Sequence, residues 1–272
     1  MEGQTPMRDI AGFEARRRLR GTLLLTAVMI AFVGLTVGLF PSVAESGVDF
    51  EAYVESFPPE VQAAFLGGVT DLGTVEGFLL TELYQLIWVL VLGAYFAYAA
   101  ASLVAGDVES RTADLLLASP VSRSRIVVAK AASLLPAIIV VNGVSLLAVL
   151  VFVAVIGETV DPLDFLRLHA LFVLYHAANA TVGLVASVAV ARVRHARAAA
   201  LGAVVGTYFL DALTYDTDYD WLGATALARY FDAAEILVDA EIEWGDVGIL
   251  VLVCIVGVVL AAEWFERRDV PG

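Results

Sequence analysis

The chain has 272 residues, 60% of them hydrophobic, and a mean hydropathy of +0.84, whereas soluble domains average about 45–50% apolar residues. It carries 30 acidic and 16 basic residues, a formal net charge of −14, which excludes a nucleic-acid surface because phosphate contacts need the opposite sign. This is the composition of an integral membrane protein, and its acid excess points to solvation in high salt, as in a salt-adapted microbe. The single cysteine, Cys254, lies in the last apolar run, so neither an intramolecular disulfide nor a cysteine metal cluster can form.

In chain order, Ile10, Ala11 and Phe13 set against Glu14, Arg16, Arg17, Arg18 and Arg20 predict an interfacial helix. It leads into a first span over residues 21–40, longer than the roughly 7–15 apolar residues of a signal peptide. Gly34 and Gly38 within it read as a close-packing pair. The stretch from Pro41 to Thr81 is polar and acidic, broken at Pro58-Pro59 and Gly67-Gly68. Its amphipathic pieces, Phe50 to Val54 and Val61 to Leu66, are too short to cross. A second span covers residues 78–103, with Tyr84 and Trp88 expected as interface anchors and Glu82 at the outer interface rather than on a path.

The third span covers residues 126–156 and contains Pro136 and Asn142, which fit either a bend at a substrate cavity or an ordinary membrane helix. A short acidic loop, Gly157 to Asp164, leads to the fourth span, residues 165–191. The basic turn Arg192 to Arg197 joins it to a fifth span, residues 197–213. The acidic segment Thr214 to Asp246, with an amphipathic piece from Ala228 to Val238, precedes the sixth span, residues 247–264. No internal repeat or linker divides the chain, so residues 1–272 form one transmembrane domain.

Six spans put both termini and the second and fourth junctions on one side. That side then holds 14 of the 16 basic residues and 9 of the 30 acids; only Arg167 and Arg229 fall opposite. Because Lys and Arg concentrate on the cytoplasmic side, both termini and the segment Gly106 to Lys130 are expected in the cytoplasm of a multi-pass cell-membrane protein.

The sole lysine, Lys130, follows Val127-Val128-Ala129, which is no phosphate-binding G-x-x-x-x-G-K-[ST] loop. It also sits too near a span entry to serve as the buried lysine of a retinal pump. His169, His176 and Asn179 share one helical face. They suit a metal or proton path or plain interhelical hydrogen bonding, and the absence of an accompanying Cys, Met or carboxylate cluster favours the second. Asn179-Ala180-Thr181 matches a glycosylation sequon but lies inside a span. No constellation supports an intramembrane enzyme, and no inverted repeat supports the alternative of an ion-coupled secondary transporter.

The sharpest signal is Gly106 to Lys130, a charged, proline-broken stretch between apolar runs. As a helix it puts Val108, Thr112, Leu115 and Leu116 on one side and Asp107, Arg111 and Asp114 on another, with an i,i+4 pair between Asp107 and Arg111. Ser119-Pro120 ends that helix, and Ser122 is the expected N-cap of the next.

Glu109, Thr112, Leu115-Leu116-Leu117, Ser119 to Arg123 and Lys130 resemble the pattern between the second and third spans of type-2 ABC transporter permeases. The entry Phe13-Glu14-Ala15-Arg16 with Leu19-Arg20, and the exit Phe265 to Asp269, agree with it. The resemblance implies an all-α integral membrane fold with six transmembrane helices, both termini cytoplasmic and an interfacial coupling helix, Asp107 to Ala118, between spans two and three. It further implies a separate cytoplasmic ABC ATPase that binds ATP and Mg, a second permease copy or paralogue, a membrane-lipid setting, and no cofactor or catalytic site in this chain. Asp107, Glu109, Arg111, Asp114, Leu117 and Arg123 become the ATPase-coupling residues. Arg111 and Asp114 depart from the usual Gly and Glu. Asn142, His176 and Asn179 remain candidates for a translocation path, and Gly202 and Gly206 for a dimer seam.

Overall fold

The computed structural model describes residues 5–46, 57, 58, 61, 73–110 and 122–267, with side chains from Gly12 onward. The pieces Phe50 to Val54 and Val61 to Leu66 lie largely outside these residues, as do Arg111 to Val121 and the tail from Arg268. Six long apolar helices span the membrane: α1 (Thr5–Ala44), α2 (Val75–Glu109), α3 (Arg123–Val155), α4 (Pro162–Ala189), α5 (Val193–Thr214) and α6 (Trp244–Arg267). No strand occurs among the described residues.

Helix α1 runs unbroken from Thr5, so the basic entry is continuous with the span and forms no separate interfacial helix. Arginines are good helix formers and nothing between Gly12 and Phe40 stops the chain. Its 40 residues extend about 60 Å at 1.5 Å each, roughly twice a hydrocarbon core. Met29, Val33, Val37 and Phe40 face the bundle at helical spacing, and Leu24, Val28, Leu35 and Leu39 face outward.

The centre of the bundle is the α2–α4 pair. An added Cβ at Gly183 of α4 would collide with the Ala97 carbonyl of α2, so only glycine permits this crossing. Ala94, Ala97, Ala101 and Ala105 of α2 pack against Ala196, Ala200 and Val204 of α5, a small-residue seam that lets backbones approach where lipid offers no hydrophobic drive. Gly34 receives the Phe152 ring of α3, whereas Gly38 has nothing within 4 Å, so one member of the predicted pair packs. Gly257 of α6 crosses α4 at the Thr181 methyl.

Two spans contain breaks. Residues 101–104 form turns near the end of α2, and Ser133-Leu134 interrupt α3 just before Pro136. The ring of Pro136 cannot continue the hydrogen-bond ladder, so it opens the second half of the helix instead. Between Leu80 and Leu92, α2 widens into a π-helix. Pro162 starts α4 behind an Asp161 cap, whose Oδ1 accepts from Leu163 N at 2.7 Å.

Tyr84 and Trp88 are not interface anchors: both are fully buried in the bundle. Hydropathy does not separate an interfacial ring from one hydrogen-bonded inside. Exposed aromatic residues include instead Tyr215, Tyr219, Trp221 and Trp244 at the acidic end and Phe13 and Trp264 near the basic end. Trp244 and Trp264 lie about 30 Å apart along α6 by helical rise, one hydrocarbon thickness.

Candidate functional site

The basic ends of the spans converge on the last residues of α2, 101–110. The Ser187 hydroxyl of α4 accepts from Val104 N at 2.9 Å and Ala105 N at 3.0 Å. These amides would otherwise lack partners, because the turns before them interrupt the ladder. Lys130 of α3, only 2% exposed, places Nζ 2.6 Å from Asp107 Oδ2 and 3.0 Å from Glu14 Oε1 of α1. One buried cation thus joins carboxylates from two other spans. Breaking such a cluster leaves an uncompensated buried charge, at a cost of about 3–5 kcal/mol.

Two further carboxylates cap helices they do not belong to. Glu109 Oε2 of α2 accepts from Val193 N at 2.8 Å, at the start of α5. Glu266 Oε2 of α6 accepts from Ser124 N at 2.9 Å, at the start of α3. Both helices lack a side-chain cap of their own. Ser122 occupies the predicted N-cap position, but its hydroxyl meets Ser124 Oγ at 3.2 Å and makes no cap bond. An anion at a helix N-terminus satisfies free amides and meets the positive end of the dipole. Arg123 of α3 lies 5.9 Å from the Phe265 ring of α6, and Arg197 of α5 lies 4.3 Å from the Tyr98 ring of α2.

Of the six predicted coupling residues, Asp107, Glu109 and Arg123 are therefore engaged within the bundle. Asp107 turns inward to Lys130 and does not belong to a solvent-facing stripe. Arg111, Asp114 and Leu117 lie outside the described residues. Glu14 and Glu266 are two partners that reading the segment alone misses, although each stands in the terminal motifs Phe13 to Arg16 and Phe265 to Asp269.

Deeper in the bundle, Trp88 Nε1 donates to Asn142 Oδ1 at 3.2 Å, and Asn142 Nδ2 donates to Ile138 O at 2.9 Å and to His176 Nδ1 at 3.1 Å. His176 Nδ1 must therefore accept, which leaves Nε2–H to donate to Trp88 O at 2.9 Å. The indole and the main-chain carbonyls fix the amide orientation and the neutral tautomer together. Tyr175 donates to Val89 O at 3.1 Å, so α4 side chains engage consecutive carbonyls of the widened part of α2. Tyr84 OH meets His169 Nε2 at 3.0 Å.

Asn142 and His176 thus meet as a closed hydrogen-bonded pair, the interhelical arrangement expected of uncharged groups. Asn179 stands apart: Nδ2 donates to Tyr175 O at 3.0 Å, and the residue borders a cavity of about 70 Å³ with Tyr175, Thr207, Tyr208 and Thr225. Among the described residues, no group of three or more His, Cys, Asp or Glu is placed to hold a metal ion.

At the acidic end, the segment after α5 folds back over the bundle in three short helices, Asp220–Thr225, Leu227–Tyr230 and Ala233–Leu237. The single predicted piece from Ala228 to Val238 is divided because Asp232 Oδ1 accepts from Ala234 N at 2.8 Å and Glu235 N at 3.1 Å, capping a new helix. Phe231 enters between Phe172 and Tyr175 of α4, with ring centroids 4.4 and 4.9 Å away. Arg229 bonds Asp220 Oδ2 at 2.5 Å and Asp211 Oδ1 of α5 at 3.2 Å. Hydrogen bonds from that guanidinium hold the Asp220 carboxyl below its ordinary range.

Six membrane-crossing helices whose basic ends are cross-tied by buried and capping charges define a polytopic α-helical membrane protein. The family model for ABC-2 family transporter proteins matches residues 10–270. The chain belongs to that family and is an ABC transporter permease. No curated protein matches it.

Proposed function

We propose that the chain is the permease subunit of an ATP-driven exporter in the cell membrane, with both termini cytoplasmic. A separate ATPase binds ATP and Mg on the cytoplasmic side, and a second permease copy or paralogue completes the pore. The observation that supports coupling is the convergence on residues 101–110. The segment of Arg111, Asp114 and Leu117 follows directly on Ser110, and a displacement delivered there reaches α1 and α3 through Asp107 and Lys130, α4 through Ser187, α5 through Glu109 and α6 through α3. Gly202 and Gly206 have nothing within 4 Å in the single chain, in keeping with a seam that a second copy closes.

Two variants separate docking from transmission. Leu117→Asp should abolish co-purification with the Walker-motif ATPase. Glu109→Ala should leave the complex intact and remove the permease's effect on ATP hydrolysis, because its carboxylate holds α5. Transport by the chain alone, in vesicles without any ATPase, overturns the reading.

A further inference from the structure

Between α3, α4 and α6, in the half of the bundle nearer the basic end, lies an apolar cavity of about 260 Å³ bordered by Leu103, Val128, Ala131, Leu134, Ala177 and Cys254. Its origin is local. Helix α3 breaks at Ser133-Leu134, and the facing positions are alanines too small to fill the space. It opens toward the bilayer, for Val128 and Leu135 on its border are 36% and 42% exposed. The one hydroxyl on its border, Thr181 Oγ1, already donates to Ala177 O at 2.9 Å. Water needs two to four polar partners, whereas an apolar cavity of about 150 Å³ stays dry and takes up benzene.

The cations around the entrance are unequal. Lys130 is committed to Asp107 and Glu14, and Arg123 lies against Phe265. Arg125 is exposed and makes no ion pair among the described residues. It lies on the same outward stripe as Val128, Ala132 and Leu135, one turn nearer the basic end. Glu266 and Arg123 fasten α3 to α6 beyond the cavity, which leaves the lateral route from the bilayer.

We propose that this cavity is a phospholipid site. One hydrocarbon chain of an anionic phospholipid enters it from the bilayer, and the lipid phosphate rests on Arg125. The orientation proposed above makes this an inner-leaflet lipid, but the residues contacted do not depend on that orientation.

The full-length chain in phosphatidylcholine vesicles doped with phosphatidylglycerol carrying a diazirine on one chain tests this. Irradiation should place crosslinks on peptides containing Ala131 to Leu134 and Cys254 to Val258, and unlabelled phosphatidylglycerol should compete them away. Arg125→Gln should weaken that capture about fivefold, the equivalent of the ~1 kcal/mol a basic residue contributes at an anionic membrane surface. Ala177→Leu, which fills the cavity, should remove it. Three results overturn the proposal: labelling spread over outward residues such as Leu24, Ile139 and Leu252, labelling that unlabelled lipid does not compete, or equal capture of a phosphatidylcholine probe by the unmodified chain. The competition in the unmodified chain does not depend on any variant folding.

Discussion

The basic end of the bundle is held by charges that reach between spans: Lys130 to Asp107 and Glu14, Glu109 to the start of α5, and Glu266 to the start of α3. The acidic end is held by shape. Phe231 is wedged between two aromatic rings, and the ion pairs there use the partly exposed Arg229 and Arg167. Charge pairs and caps are discrete and directional, so moving one partner pulls on another helix. Aromatic packing over a lid resists separation but transmits little direction.

Lys130→Met should give the largest loss. With Asp107 and Glu14 left facing each other, about 3–5 kcal/mol of stability should disappear, read from thermal unfolding of the purified chain. Restoring neutrality with Asp107→Asn and Glu14→Gln in the same chain should recover much of it. Failure of that recovery would mean that packing, not charge, holds the basic end.

Next in size are two changes at the centre. Gly183→Ala forces a methyl into the Ala97 carbonyl and should cost about 1–3 kcal/mol, as overpacking does. Asn142→Leu strands the Trp88 indole and His176 Nδ1, with a loss of about 1–2 kcal/mol for an interhelical hydrogen bond in a membrane. If it leaves stability unchanged but alters transport, Asn142 belongs to a path and not only to the scaffold.

The smallest effect belongs to Arg229. Its pairing depresses the Asp220 carboxyl, so the stabilisation is complete above the unfolded-state carboxylate value and is lost as pH falls through the lower folded value. Arg229→Gln should flatten that acid-side dependence, measured as protease sensitivity of the segment after α5. A basic-end readout, such as ATPase association, should not change.

Much of this architecture could be read from the chain, and the exceptions share a cause. Run length counted six crossings because crossing a bilayer is a matter of hydrocarbon thickness. The preference of Trp and Tyr for the membrane interface misled at Tyr84 and Trp88, because the same rings also bury inside a bundle where they find hydrogen-bond partners. Glycine spacing found Gly34 but could not reject Gly38, since contact depends on whether an opposing ring arrives. Ser122 had the chemistry of a cap, yet Glu266, 142 residues nearer the C-terminus than its Ser124 partner, does the capping.

By itself the sequence determined the six crossings and the separation of basic from acidic ends, because these follow from hydrophobic length and charge sign. Only the tertiary structure decided what Gly106 to Lys130 is fastened to. A lysine, three carboxylates and a serine from distant parts of the chain meet at the last turn of α2, and partners that far apart in sequence are chosen by helix packing and by no local pattern.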